Sequence, residues 1–114
     1  MTERPHILVV CARNKKRSRT AEYILKNDNR FAIRSVGLSV KSPRKISEND
    51  LNWASLVLAM ENNHRAKIKE VYSFLDLPPI EVLGIPDDYE FMDAELIEIL
   101  EDKINAILNE VFGI

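Results

Sequence analysis

The sequence predicts an α/β protein in which helices cover both faces of a parallel sheet. Short, continuous apolar runs recur along the chain, and such runs are typical of strands buried on both faces. Segments with apolar residues at helical spacing lie between them. Strands that alternate with helices join through right-handed crossovers, which makes neighbouring strands parallel.

Four apolar segments are the predicted strands. They are Ile7–Val10, Phe31–Val36, Ala54–Met60 and Ile80–Leu83. The first is an unbroken Ile-Leu-Val-Val run with Cys11 directly after it, and we expect Gly37 to end the second.

The predicted helices occupy the segments between and after these strands. They are Arg19–Lys26, Ser47–Trp53, Glu61–Phe74 and Asp93–Phe112. Ser47 followed by Asp50 is typical of a capping box. The last helix carries an apolar stripe that consists of Leu96, Ile97, Leu100, Ile104, Ile107, Leu108 and Val111. Two segments are predicted loops, Leu38–Lys45 and Gly84–Met92.

Length and composition predict one domain, spanning residues 1–114. A formal net charge of −2 does not indicate a general nucleic-acid binder. No apolar run approaches the ~20 residues of a membrane span, so we expect no membrane partner. A single cysteine excludes an internal disulfide framework. Together with the lack of a recognisable signal peptide, it predicts a cytoplasmic location.

The stretch His6–Glu22 carries the strongest functional pattern, because Arg17 and Ser18 follow Cys11 at a spacing of six and seven residues. Backbone amides of a turn that enters a helix bind anions, and the positive field there favours a thiolate. An arginine binds two oxygens of a tetrahedral oxyanion through its planar fork, and Ser18 can donate a hydrogen bond to the thiolate. The alternative is a buried cysteine that ends a strand beside solvated basic residues.

Cys11-(x5)-Arg17-Ser18 after a buried strand, with Asn14 between and Ala21-Glu22 after, resembles the low-molecular-weight protein tyrosine phosphatase superfamily, in particular a short bacterial branch. The resemblance implies a three-layer sandwich whose four parallel strands have the order 2-1-3-4. It also implies a phosphate-binding loop made of Ala12, Arg13, Asn14, Lys15, Lys16, Arg17 and Ser18. For Ser35 we expect a hydrogen bond to the Asn14 side chain, or an ordinary hydroxyl at a strand end.

Ile85-Pro86-Asp87-Asp88-Tyr89 resembles the Asp-Pro-Tyr segment of the same superfamily. By that resemblance Asp87 is the general acid, Asp88 stands where proline is usual, and Tyr89 is the aromatic wall of the pocket. An ester oxygen leaves poorly unless a placed acid protonates it, which is why the chemistry needs such a carboxyl group. Asp88 stays open as the alternative acid, and a solvated acidic turn is the alternative for the whole segment.

The resemblance implies a phosphomonoester hydrolase of the protein tyrosine phosphatase type that works through a phosphocysteine at Cys11. Its substrate would be a phosphorylated protein or a small phosphomonoester. No metal or cofactor is expected, because amides and Arg17 neutralise the phosphate charge; His6 and His64 stand isolated in the sequence. The loop Leu38–Lys45 has no aromatic residue, so Tyr89 and Phe91 are the candidates for a pocket wall, or Phe91 packs in the core.

Two other functions remain open. The first is a catalytically weak module that binds phosphate or a phosphorylated ligand, including a nucleic-acid end, through the basic residues Arg13, Lys15, Lys16, Arg17 and Arg19. These residues would otherwise form a solvated rim without selectivity. The second is an arsenate reductase, which shares the scaffold but needs further thiols; because Cys11 is alone, it ranks last.

Overall fold

The computed structural model describes residues 4–114 and shows strands and helices in strict alternation. The strands are β1 His6–Cys11, β2 Ala32–Gly37, β3 Leu56–Ala59 and β4 Ile80–Val82. The helices are α1 Arg17–Leu25, α2 Glu48–Trp53, α3 Asn62–Val71 and α4 Ala94–Phe112. In the part of the chain that the structure describes, no helix is long and apolar enough to cross a membrane.

The four strands form one parallel sheet in the order β2-β1-β3-β4, as predicted. Strand β1 lies in the interior, with Val10 opposite Val36 of β2 on one side and Ala59 of β3 on the other. This arrangement places Cys11 at the carboxyl edge of the sheet, between the segments that follow its two neighbours. Ligands of parallel α/β sheets bind at such a position.

Each face of the sheet has its own apolar core, which is why β1 and β3 are apolar at every position after His6. Ile7, Val9 and Cys11 face the larger core under α1 and α4, while Leu8 and Val10 face the smaller core under α2 and α3. The larger core includes the buried stripe of α4, which consists of Leu96, Leu100, Ile104 and Leu108. The two cores and the sheet between them make the predicted three-layer sandwich.

Several element boundaries differ from the predicted ones. Helix α1 begins at Arg17, two residues earlier than expected, so the loop after β1 enters the helix directly. Strand β2 was expected to end at Val36, before Gly37. It includes Gly37 as its last residue, which pairs with Cys11. Val111, assigned to the buried stripe of α4, is 42% exposed. The capping box of α2 forms as predicted, with Ser47 as the N-cap residue and Asp50 as its partner.

Gly37 lies directly behind the loop that follows β1, and no larger residue fits there. A Cβ atom at this position would lie 2.8 Å from both the Arg13 carbonyl carbon and the Asn14 nitrogen. It would also approach the side chain of Ser42. Because two of the three obstacles are backbone atoms, a side chain at position 37 has to displace the loop.

We therefore expect Gly37→Ala to lower the free energy of unfolding by about 1–3 kcal/mol, the usual cost of overpacking. Denaturant unfolding followed by far-UV circular dichroism measures the change. Gly113→Ala is the matched control, because Gly113 has φ +70 and a Cβ atom added there would meet nothing within 4 Å. That control carries only the cost of a left-handed backbone, about 1 kcal/mol. A Gly37→Ala loss no larger than that of the control would contradict the packing argument.

Candidate active site

A cavity of about 380 Å³ opens at the carboxyl edge of the sheet, next to the end of β1. Its lining residues come from the loop after β1, the start of α1 and the loop after β4. They are Cys11, Ala12, Arg13, Lys15, Lys16, Arg17 and Asp87. The two segments singled out in the sequence thus meet in one concave site. The only acidic residue in this lining is Asp87.

Cys11 lines the cavity and makes a short polar contact with the fully buried Ser18. The Cys11 Sγ atom lies 2.9 Å from Ser18 Oγ and accepts a hydrogen bond from the Asn14 amide at 3.2 Å. Asn14 Nδ2 in turn donates to Ser18 Oγ at 2.9 Å. Either Cys11 or Ser18 can donate in their contact when the sulfur carries a proton. A thiolate at Cys11 would accept from both the Ser18 hydroxyl and the Asn14 amide.

The loop adopts a conformation that leaves its amides available. Asn14 has φ 53, in the left-handed region that asparagine tolerates better than most residues. Among the hydrogen bonds within residues 4–114, none has the amide of Ala12, Arg13, Lys15 or Lys16 as its donor. These four residues all line the cavity. Successive free amides in a loop with one left-handed residue form an anion-binding concavity.

The segment after β2 supports this loop from behind through its backbone. The Leu38 amide donates to the Cys11 carbonyl at 3.1 Å, and the Ser39 amide donates to the Ala12 carbonyl at 2.8 Å. Ser35 has a different role from the expected hydrogen bond to Asn14, and that prediction was wrong. The Ser35 hydroxyl donates to Glu22 Oε1 at 2.7 Å, because this side chain lies beside α1.

Arg17 is buried to 2% exposure, and two fixed acceptors hold its guanidinium. Its NH1 group lies 2.7 Å from Glu61 Oε2 and 2.7 Å from the Ile85 carbonyl oxygen. These two bonds use both NH1 hydrogens, and the Nε and NH2 donors remain for a ligand in the cavity. Arg17 Nε lies 3.7 Å from Asp87 Oδ1, which is an ion-pair distance but too long for a hydrogen bond.

Glu61 and His64 belong to the site, although the sequence did not predict them. Glu61 follows β3 at the same edge of the sheet as Cys11, and its amide donates to His64 Nδ1 at 3.2 Å. Burial and the positive charge of Arg17 lower the pKa of His64, against smaller opposing effects of Glu61 and Asp87. The sequence could have indicated Glu61, because it directly follows an apolar run that was predicted to be a strand of the same sheet.

The loop after β4 brings Asp87, but not its neighbours, into the cavity. Asp88 is exposed and is not among the lining residues, and Tyr89 packs against the larger core. The structure therefore does not support Tyr89 as the pocket wall. Phe91 is 43% exposed and contacts Tyr23 on α1, so it neither lines the cavity nor packs in the core.

Two contacts attach this loop to the end of the loop after β1 and to α1. Lys16 Nζ lies 3.2 Å from Glu90 Oε1, and the Met92 amide donates to Thr20 Oγ1 at 3.0 Å. With the Ile85 carbonyl bound to Arg17, the loop is attached at both ends, and Asp87 lies between the attachments. Over residues 4–114, no cluster of three or more His, Cys, Asp or Glu side chains is arranged to hold a metal ion.

A parallel sheet of order 2-1-3-4, with a cavity beside the loop after its first strand, defines the class of the fold. Solved structures place it more closely: the chain has the fold of the low-molecular-weight protein tyrosine phosphatases. It superposes on such an enzyme from Streptococcus pyogenes with a TM-score of 0.79 at 18% identity, over 95% of this chain and 93% of that one. The resemblance seen in the sequence is confirmed at the level of the fold.

Two further structures show how wide the group of similar proteins is. The tyrosine phosphatase Wzb from Escherichia coli K30, solved with phosphate, matches with a TM-score of 0.70 at 18% identity over 96% of this chain and 99% of that one. The arginine phosphatase YwlE from Geobacillus stearothermophilus matches with a TM-score of 0.65 at 20% identity, over 94% and 97%. No protein-family model matches the chain, and the comparison with curated proteins finds no significant match.

The lowered pKa of His64 predicts a pH-dependent stability. In the unfolded chain His64 takes up a proton as the pH falls below about 6.5, its ordinary pKa, whereas in the folded protein it stays neutral to a lower pH. The unfolded state then binds more protons, so the free energy of unfolding falls as the pH is lowered from 7.5 through 6.5 toward the folded pKa. Denaturant unfolding across this range measures the effect.

His64→Asn is the matched variant, because the asparagine carbonyl can accept the Glu61 amide bond while the side chain does not titrate. We expect this variant to lose stability less steeply than the wild type between pH 7.5 and 5. The same slope in both proteins would mean that His64 does not cause the pH dependence.

Proposed function

We propose that the protein is a phosphomonoester hydrolase of the protein tyrosine phosphatase type, with Cys11 as its nucleophile. One observation carries the proposal. The Cys11 thiol, four free loop amides, the two unused donor groups of Arg17 and the Asp87 carboxyl group all belong to one cavity. That set contains a nucleophile, an oxyanion site and an acid, the three parts that phosphoryl transfer to cysteine needs.

In the first step the Cys11 thiolate attacks phosphorus in line with the ester oxygen. A phosphorus–sulfur bond forms, and the phosphorus–oxygen bond to the leaving group breaks. Loop amides and the Nε and NH2 donors of Arg17 bind the equatorial oxygens, on which charge resides in the transition state. The donors are held by the protein before substrate arrives, so little reorganisation is needed during the reaction.

Asp87 is our choice for the acid that protonates the leaving oxygen. Asp87 and Asp88 are both exposed, but only Asp87 lines the cavity, and it lies 3.7 Å from Arg17. In the second step the Asp87 carboxylate takes a proton from water, which attacks phosphorus and breaks the phosphorus–sulfur bond. Phosphate leaves and the thiolate is restored, so one ester and one water give one alcohol and one phosphate.

The substrate class includes phosphorylated proteins and small phosphomonoesters. The tyrosine phosphatases and the arginine phosphatase with this fold make protein substrates reasonable for this chain as well. A thiolate nucleophile without a second cysteine fits the reducing cytoplasm, where we place the protein. A phosphate-binding module without turnover is the alternative, favoured by the exposed cations Arg13 and Lys15 at the rim.

Hydrolysis of aryl phosphates tests the proposal. We expect vanadate-sensitive turnover of p-nitrophenyl phosphate that Cys11→Ser abolishes, because serine is not ionised at neutral pH. Asp87→Asn should lower kcat by about 10²-fold or more with phenyl phosphate, whose leaving group needs a proton, and by less with p-nitrophenyl phosphate. Asp88→Asn is the matched control and should stay close to the wild type.

Each variant tests a different part of the proposed mechanism. Turnover that survives Cys11→Ser would rule out the cysteine mechanism. Equal losses in the two aspartate variants would remove the assignment of Asp87. Tight phosphate binding without any turnover that depends on Cys11 would favour the binding module.

Glu61 acts on the reaction through Arg17, so it is a positioning residue. Glu61→Gln removes the negative charge that holds Arg17 NH1 while preserving the size of the side chain. We expect kcat to fall by roughly tenfold and the affinity for vanadate to fall by a similar factor, since both depend on the guanidinium orientation. Steady-state kinetics and vanadate inhibition measure the two effects.

Glu90→Gln is the control for this change, because Glu90 pairs with Lys16 at the exposed rim, where ion pairs contribute little. If Glu61→Gln lowers stability but leaves kcat and vanadate affinity unchanged, its role is structural only.

A further inference from the structure

A second concave surface lies beside the catalytic cavity, on the outer side of α1. It has a volume of about 320 Å³ and is formed by Arg19, Glu22, Tyr23, Lys26 and Phe91. We call it the α1 groove. Four of its residues come from α1 and the residue that follows it, and one comes from the loop that carries Asp87. Nothing in the mechanism above uses this surface.

The α1 groove exposes two aromatic rings that touch each other. Tyr23 is 53% exposed and Phe91 43% exposed, and their ring centroids lie 5.8 Å apart in an edge-to-face arrangement. Exposed aromatic rings in contact with each other offer a large, rigid apolar surface at low entropic cost. Such pairs are typical of surfaces that bind other molecules.

The cations of the groove lie over these rings and are not neutralised. The Arg19 guanidinium carbon lies 5.6 Å from the Phe91 ring centroid, and Lys26 Nζ lies 4.5 Å from the Tyr23 centroid. Within residues 4–114, neither cation has a carboxylate at ion-pair distance. The one carboxylate of the groove, Glu22, accepts the Ser35 hydroxyl at 2.7 Å. The groove therefore combines aromatic surface with positive charge that lacks a carboxylate partner.

The α1 groove and the catalytic cavity are built on the same two segments of the chain, although they have no lining residue in common. Lys16 lines the cavity and Arg19 lines the groove, three residues apart at the start of α1. In the loop after β4, Asp87 lines the cavity and Phe91, four residues later, lines the groove. The exposed ion pair of Lys16 with Glu90 joins these two segments.

We propose that the α1 groove binds an acidic segment of the phosphorylated protein substrate, while the phosphorylated side chain occupies the cavity. This inference rests on the function proposed above and adds the class of substrate to it. Carboxylates of the segment pair with Arg19 and Lys26, and an adjoining apolar side chain packs on the aromatic rings. The exposed cations Arg13 and Lys15 at the cavity rim extend the same positive surface.

The dimensions set where the acidic residues should lie. From Arg17 to Tyr23, α1 rises about 9 Å, at roughly 1.5 Å per residue. An extended peptide covers that distance with about three residues. The acidic residues are therefore expected about three positions from the phosphorylated one, and on one side of it only, because the groove lies on one side of the cavity.

Synthetic phosphotyrosine peptides test this directly. An Asp-Glu pair is moved along both sides of the phosphotyrosine, and each peptide is compared with one that carries alanines at the same positions. We measure kcat/KM with the wild type and binding by fluorescence anisotropy with Cys11→Ser. The acidic pair should improve both by about three- to tenfold at one position, and less at higher salt.

Variants then locate the effect. Arg19→Gln with Lys26→Gln should remove the preference for the acidic peptide, while turnover of p-nitrophenyl phosphate stays within about twofold of the wild type. Lys67→Gln with Lys69→Gln on α3 changes the net charge equally and should keep the preference. Tyr23→Ser should weaken binding of all the peptides. Phe74→Ser is the control, because Phe74 is 69% exposed and lies outside the groove, and it should not weaken binding.

The outcomes distinguish this inference from the proposed function. Turnover that depends on Cys11 but has equal kcat/KM for acidic and alanine peptides overturns the inference alone. Preferential binding of acidic peptides without any turnover overturns the proposed function alone. A 5′-phosphorylated oligonucleotide that binds as tightly as the best acidic peptide overturns the assignment to a protein segment. If the double variant does not fold, the wild-type peptide series still decides.

Discussion

The buried guanidinium of Arg17 is the group on which the geometry of the site depends. It joins three elements, because Arg17 begins α1, Glu61 follows β3 and Ile85 follows β4. An unpaired charge at 2% exposure would be costly, and the Glu61 carboxylate and the Ile85 carbonyl offset that cost. The contacts that stabilise the charge also orient it, and they leave its remaining donors to a ligand.

The loop after β1 is held by a second set of contacts that come from β2 and the segment after it. Gly37 allows the loop to lie against the strand, and the amides of Leu38 and Ser39 bind carbonyls of Cys11 and Ala12. The carbonyls of Cys11 and Ala12 are thereby occupied, while within residues 4–114 no acceptor is bound by the amides of Ala12, Arg13, Lys15 and Lys16. Free amides of this kind in a short irregular segment are suited to binding one anion.

The catalytic cavity and the α1 groove differ in chemical character although they share elements. The cavity is lined by cations and has no aromatic residue, whereas the exposed rings of Tyr23 and Phe91 lie in the groove. If the proposed function and the proposed role of the groove hold, recognition of phosphate and recognition of the residues around it are separated in space. Binding energy gained in the groove would orient the phosphorylated residue in the cavity.

The sequence by itself determined the strand, loop and helix that contain Cys11, Asn14, Arg17 and Ser18, because these residues lie within eight positions of one another. Local backbone geometry is enough to bring them together, and apolar runs are enough to predict the parallel sheet. The tertiary structure alone decided that Glu61 holds Arg17, that Ser35 binds Glu22, and that Tyr89 packs against the core. Those contacts depend on the order of the strands and on the direction of each side chain at the sheet edge, which no local pattern encodes.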